Sequence, residues 1–322
     1  MSSEAEQPLP DPDVGKGIEY WATQPASYDG VLGGFGTGTL PRVDALGSRQ
    51  MLMYLLPELC TVPSAVRPLH VSEDVANKRT RVLDVGAGVG RVTADVLLHL
   101  FSDVVLVEPV DIFINQALRR GKASEDLSNA SKAFLPADEG TEINDLEVVP
   151  WKGIADKTKS VTFIQATLQD FDPVHPVAAP EKAKVLGRVG HTPSADDLDS
   201  KFDVVWCQWC LGALSDTDLI NFFRRAKTAL RDPARGLIVV KENTCSEKGF
   251  PRAVFDESDS SLTRWACRED FLDIPSAEWD RVCRSDLAWK QCFTDAGLKL
   301  IYEQTQEGFP EGLYPVKMYA MR

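Results

Sequence analysis

An α/β fold built on a mostly parallel sheet is what this sequence predicts, and three observations predict it. Short apolar runs alternate with amphipathic stretches of helical spacing, the rhythm of strands covered by helices. The run 81–85 (RVLDV) opens directly into a glycine-rich turn. The last two runs, 298–302 and 316–320, can supply a closing antiparallel pair.

The elements follow in order. Residues 1–17 (MSSEAEQPLPDPDVGKG) are acidic and proline-rich, with neither a basic start nor an apolar stretch. They predict a flexible tail and no secretory leader. Residues 18–322 then read as a single domain with a helical extension before the first strand. After 81–85 come a helix near 91–100, a strand at 104–108 (VVLVE) and a helix at 111–120. Further buried strands are predicted at 161–165 (VTFIQ), 202–206 (FDVVW) and 236–241 (GLIVVK). The segment 216–230 is amphipathic, with Arg224, Arg225 and Lys227 toward its end, where the helix dipole favours cations. Two segments, near 121–160 and 174–200, are long, polar and without period, and are read as surface insertions.

Composition narrows the function classes. With 322 residues, 43% of them hydrophobic, the chain can bury a full core. No run of about 18 uncharged apolar residues occurs, so no membrane helix is expected. A net charge of −13 argues against nucleic acid as a main partner, since phosphate binding needs clustered Lys and Arg. Such acidity draws a cationic ligand or simply keeps the chain soluble. Seven cysteines at irregular spacing suit a reducing compartment, with the cytoplasm expected first and the nucleus second. Cys207 and Cys210 have C-x-x-C spacing, but they continue a buried strand without a helix start to lower a thiol pKa. No second Cys/His pair is spaced for zinc.

The chemistry starts at Leu83-Asp84-Val85-Gly86-Ala87-Gly88-Val89-Gly90-Arg91. Glycines at a strand end let the backbone turn sharply and let a ligand approach the peptide plane. A nicotinamide fingerprint, G-x-G-x-x-G/A, would need Gly or Ala where Arg91 stands. Glu108 closes the next strand about twenty residues on, where a carboxylate can accept hydrogen bonds from both ribose hydroxyls. This D-x-G-x-G-x-G form resembles the first motif of methyltransferases that use S-adenosylmethionine (SAM), whose fold is Rossmann-like. Leu168 and Gln169, after the third strand, would wall and edge the adenine, or be ordinary loop residues. Trp206 to Leu214 (WCQWCLGAL) leaves the fourth strand at the crevice edge.

Together these residues resemble the protein α-N-terminal methyltransferases, which act on chains beginning Xaa-Pro-Lys or Xaa-Pro-Arg. The likeness rests on Tyr20-Trp21, the stretch DGVLGGFG from Asp29, GAGVGR, LQDF, WCQWCLG, Lys241-Glu242-Asn243, DESDSS from Asp256, and FPEGLY ending at Tyr314. It implies that Gly86, Gly88, Arg91, Glu108, Leu168, Gln169 and Gln208 hold SAM, with Arg91 on its carboxylate. It implies a peptide channel of Leu32, Trp209, Asn243, Asp256, Asp259, Ser261 and Tyr314. Trp209 would pack on the proline ring and Asn243 would bond the peptide backbone near its start. Asp256 would receive the basic third residue and Asp259 the amine. Asn243 and Asp259 are thus the expected catalytic pair, and the enzyme is expected to be a monomer. On composition alone, the DESDSS stretch reads as a solvated turn or helix cap. One departure matters: the family has Gly-His-Leu where this chain has Gly212-Ala213-Leu214. That keeps two other readings open, a small-molecule amine methyltransferase and a non-catalytic SAM or peptide binder.

Overall fold

The computed structural model describes residues 11–60, 78–126, 149–245, 252–256, 261–265, 284–310 and 313–322. In chain order the strands are β1 (Arg81–Val85), β2 (Asp103–Val107), β3 (Ser160–Ala166), β4 (Ala183–Gly190), β5 (Val204–Gln208) and β6 (Leu237–Cys245). They continue as β7 (Arg252–Asp256), β8 (Ser261–Trp265), β9 (Arg284–Ser285), β10 (Leu300–Thr305) and β11 (Val316–Met321). Nine of them form one sheet in the order β10-β11-β6-β5-β1-β2-β3-β4, with β9 on β6 and the hairpin β7-β8 apart. The five central strands, β6, β5, β1, β2 and β3, run parallel, and β10-β11 closes one edge antiparallel, as predicted.

Every residue of β1, β2 and β5 is buried, which is why these strands read as unbroken apolar runs. Alternate residues feed opposite cores. Leu83, Val105 and Val205 face a cluster with Phe222 and Phe293, while Val82, Val104 and Val204 face one with Leu52 and Leu97. The helices are α1 (Val14–Ala22), α2 (Tyr28–Val31), α3 (Leu40–Leu55), α4 (Asp111–Glu125), α5 (Asp216–Thr228) and α6 (Asp286–Asp295). Ser215 caps α5 by accepting from the Asp218 N–H, and Asp216 and Arg225 lie at the ends that the dipole favours.

Three expectations need correction. The segment 174–200 is not wholly an insertion: β4 pairs antiparallel with β3 from Ser160↔Gly190 to Ala166↔Ala183 and forms the second sheet edge. Within 121–160, α4 continues to Glu125, and Trp151 and Ile154 are buried, Trp151 stacking on Phe163 at 6.0 Å. The rest of that segment, 127–148, lies outside the described residues. Residues 14–17, expected in the tail, instead begin α1, which Asp13 caps by accepting from the Gly15 and Lys16 N–H groups, while residues 1–10 lie outside the described residues. The helix after β1 forms with a π-turn at Thr93–Leu97, a device frequent beside functional sites. Among the described residues, no helix is long and apolar enough to cross a membrane.

Candidate active site

Between β1 and its two neighbours the chain order reverses, β2 lying on one side and β5 on the other, and such a switch point opens a crevice at the carboxyl ends of the strands. One cavity occupies it. The glycine loop forms its floor. A side chain at Gly86 would stand 2.1 Å from Cys210 Cβ, so this glycine lets the loop pack against the end of β5. Gly88, at φ +56°, holds a backbone conformation that L side chains rarely adopt, and it lines the open space. Its N–H donates to Glu108 Oε2 at 2.8 Å, and the Val110 N–H donates to Oε1 at 2.8 Å. Burial lifts the Glu108 carboxyl to about 7 despite these two donors. Beneath the loop Asp84, also lifted to about 7 by burial, accepts from the Thr93 hydroxyl at 2.6 Å.

Arg91 ends the loop and is 4% exposed. Its Nη1 donates to Asp44 Oδ2 of α3 at 2.6 Å. Lys241 Nζ lies 2.5 Å from Asp44 Oδ1, and Gln208 Nε2 donates to both Asp44 oxygens at 2.9 Å. Gln208 Oε1 accepts from Trp206 Nε1 at 3.1 Å. Burial alone would raise the Asp44 carboxyl, but Lys241 and Arg91 hold it below the ordinary range. Beyond the end of β3, Thr167, Leu168 and Gln169 line the cavity. Arg225 fixes that loop, its Nη2 donating to the Leu168 carbonyl at 2.6 Å and its Nε to the Phe171 carbonyl at 3.1 Å.

The predicted cofactor residues Gly86, Gly88, Arg91, Glu108, Leu168, Gln169 and Gln208 thus share one cavity, and Leu32 and Trp209 join them. Trp209 takes φ +54°, unusual for a bulky residue, directly after β5. Arg91 lies over its ring at 5.4 Å and Phe309 packs 6.3 Å away. Trp209 Nε1 is buried and finds no partner among the described residues. Ala213 lines the same cavity from the turn Leu211–Ala213. Glu242 Oε1 pins that turn by accepting from the Cys210 and Leu211 N–H groups at 2.9 and 3.0 Å. Strand β8 runs beside it. Burial pushes the Cys207 and Cys210 thiols well above their ordinary value, so neither is a thiolate.

Of the remaining predicted residues, Asn243 and Tyr314 stand outside the cavity lining. Asn243 lies half-buried in β6 opposite Val316, and Tyr314 just precedes β11. Asp256 ends β7 in register with Ser261 at the start of β8. Asp259 falls outside the described residues.

Sequence reasoning gave no place at the site to Asp44, to Lys241 or to the wall that α1 contributes through Val14, Gly17, Ile18 and Trp21, although Trp21 and Lys241 lie in motifs it quoted. A signal for Asp44 existed. On α3, Leu40, Pro41, Asp44, Ala45, Ser48, Met51 and Leu52 form the buried stripe, and a carboxylate on such a stripe demands a buried cation.

A family model described as AdoMet dependent proline di-methyltransferase matches residues 12–139, 152–276 and 270–322. Alpha N-terminal protein methyltransferase 1 of Arabidopsis thaliana is 32% identical over 305 residues, covering 95% of this chain and 78% of the relative. Its namesake in Schizosaccharomyces pombe is 32% identical over 304 residues, 94% of this chain and 93% of the relative. N-terminal Xaa-Pro-Lys N-methyltransferase 1-A of Xenopus laevis is 28% identical, covering 96% of this chain and 94% of the relative. Among solved structures, a SAM-dependent methyltransferase of Leishmania major superposes with a TM-score of 0.57 at 26% identity, over 96% of this chain and 82% of that one.

Proposed function

This chain belongs to the family of AdoMet-dependent proline di-methyltransferases, and we propose that it methylates the α-amino group of proteins beginning Xaa-Pro-Lys or Xaa-Pro-Arg. The observation that carries this reading is the single cavity in which the glycine loop and Glu108 meet Leu32, Trp209 and the Ala213 turn.

SAM supplies an electrophilic methyl carbon on a sulfonium. The cavity fits it, with a glycine floor at Gly88, a buried acceptor in Glu108 and a guanidinium in Arg91. In this reading Gly86 and Gly88 admit the ligand, Glu108 takes the ribose hydroxyls, Leu168 and Gln169 flank the adenine, and Arg91 takes the carboxylate, with Gln208 behind it. On the substrate side, Trp209 packs on the proline ring and Asn243 bonds the peptide backbone. Asp256 pairs the third residue through a charge-assisted contact, and Leu32, Ser261 and Tyr314 complete the channel.

Only a neutral amine has a lone pair to offer, and an α-amino group ordinarily titrates at about 7.7–8.0. With Ala213 in the histidine's place, Asp259 accepts a hydrogen bond from the amine and aims its lone pair. Orientation of this kind supplies much of the rate. The acidic surface favours a basic peptide over nucleic acid, and the protein acts as a monomer.

Mass spectrometry of an Xaa-Pro-Lys peptide incubated with protein and SAM tests the reading, with methyl groups expected on the α-amine alone. Asp259→Asn should lower turnover by about 10²–10⁴ with SAM binding intact. Ala213→His should raise turnover near neutral pH and matter less at high pH. An unmodified peptide would overturn the assignment of substrate, and an unchanged rate in both variants would overturn the role of Asp259.

A further inference from the structure

We propose that Asp44 is the positioning residue of the cofactor site, holding the Arg91 guanidinium so that its remaining donors face a ligand carboxylate. The proposal rests on the reading above, in which Arg91 meets the carboxylate of SAM.

Asp44 is wholly buried on α3, and three side chains reach it: Arg91 from the glycine loop, Gln208 from β5 and Lys241 from β6. The two cations are used differently. Lys241 does not line the cavity, and its ammonium is occupied by Asp44, by Ser48 Oγ at 3.0 Å and by Gln306 Oε1 at 2.9 Å. Arg91 does line the cavity and commits only Nη1, to Asp44; its Nε and Nη2 donate to no described residue.

Two cations in contact with one buried carboxylate leave a surplus positive charge, which is costly unless a further anion meets it. Asp84 and Asp95 act on Arg91 only through space, and the Glu108 oxygens accept from the Gly88 and Val110 N–H groups and not from Arg91. The opening left for an anion is therefore the cavity side of Arg91. A free arginine carries large rotamer entropy, and pinning one nitrogen sets the plane of its fork before the ligand arrives. Gln208, locked between Asp44 and Trp206, buttresses the carboxylate.

Calorimetry with two ligands separates this role from a structural one. S-adenosylhomocysteine carries the carboxylate, whereas 5′-methylthioadenosine keeps the nucleoside and lacks it. Asp44→Asn should weaken S-adenosylhomocysteine about tenfold, the scale of a lost hydrogen bond to a charged group, and leave methylthioadenosine nearly unchanged. Equal losses for both ligands would make Asp44 merely structural. Tighter S-adenosylhomocysteine binding would mean that it only offsets charge. Both results overturn the proposal.

Because Asp44→Asn leaves two buried cations, the double variant Asp44→Asn with Lys241→Met guards against misfolding. It restores the charge balance and should still lack the preference for the carboxylate ligand. A recovered preference would overturn positioning. Arg91→Met tells the two readings apart. If it is impaired while Asp44→Asn behaves as wild type, only Asp44 is misassigned; if it too binds as wild type, the underlying reading of Arg91 fails.

Discussion

Burial lifts the Glu108 carboxyl from its ordinary 4.5 to about 7, against the pull of two backbone donors and helped by the neighbouring Asp84 charge. The folded protein therefore keeps this proton to higher pH than the unfolded chain does. Between about 4.5 and 7 the native state binds more protons, so this group's contribution to stability falls as pH rises through that window. Ligand binding runs the other way. In the proposed contact the ribose hydroxyls donate most strongly to an ionised carboxylate, the form that Glu108 gains as pH passes 7. Affinity for S-adenosylhomocysteine should accordingly rise by up to about tenfold from pH 6 to 8. Asp84 titrates in the same range, so the control is Glu108→Gln, in which calorimetry should find a weaker and much flatter profile. An equally steep profile in that variant would remove Glu108 from the ribose contact.

At the scale of elements, α1 walls one side of the cavity and packs against only a small apolar cluster. Ile18 and Trp21 are only partly buried, against a small cluster of Tyr28, Val89, Val110 and Phe113, with Trp21 and Phe113 edge to face at 6.4 Å. An element with so few buried contacts opens locally at low cost, and a ligand that touches it in the closed state opposes that opening. Amide exchange across Val14–Ala22 should slow by about tenfold when S-adenosylhomocysteine saturates the protein, and Trp21→Ala should lose most of that protection. Exchange indifferent to ligand would detach α1 from the site. The elements differ as much in how they read. The central strands were legible because both faces are buried, leaving apolar runs such as VVLV at 104–107. β4 was not, since Lys184, Val185 and Arg188 sit on an edge strand whose partly exposed faces erase the pattern. That the predicted cofactor residues share one cavity was legible because they follow strand ends in the glycine loop, LQDF and WCQW. Asp44 and the α1 wall come from the helical extension, far from β1 in sequence, and only tertiary packing brings them to the crevice.

For the whole molecule, 48 acidic against 35 basic residues create a long-range field that a neutral binding surface would lack. A peptide beginning Xaa-Pro-Lys approaches it with two positive charges, its ammonium and its lysine. Exposed charges are screened over about 10 Å at 0.1 M salt, so steering by distant carboxylates should fade as salt rises. A desolvated pair between Asp256 and the third residue would resist screening better. Anisotropy titrations of a labelled peptide at low and high salt distinguish the two contributions. Net steering predicts an affinity that falls with salt for any doubly charged peptide, whichever position carries the second charge. Reading by Asp256 predicts in addition that moving the lysine from position three to position five weakens binding about tenfold at every salt concentration, the scale of one charge-assisted contact. Replacing the third-position lysine by glutamate should weaken binding further and flatten its salt dependence, since the field now repels one charge and attracts the other. Equal affinity for the third- and fifth-position peptides would leave the acidity of the molecule as the whole of its preference for basic chains, and Asp256 would lose its role in reading the sequence.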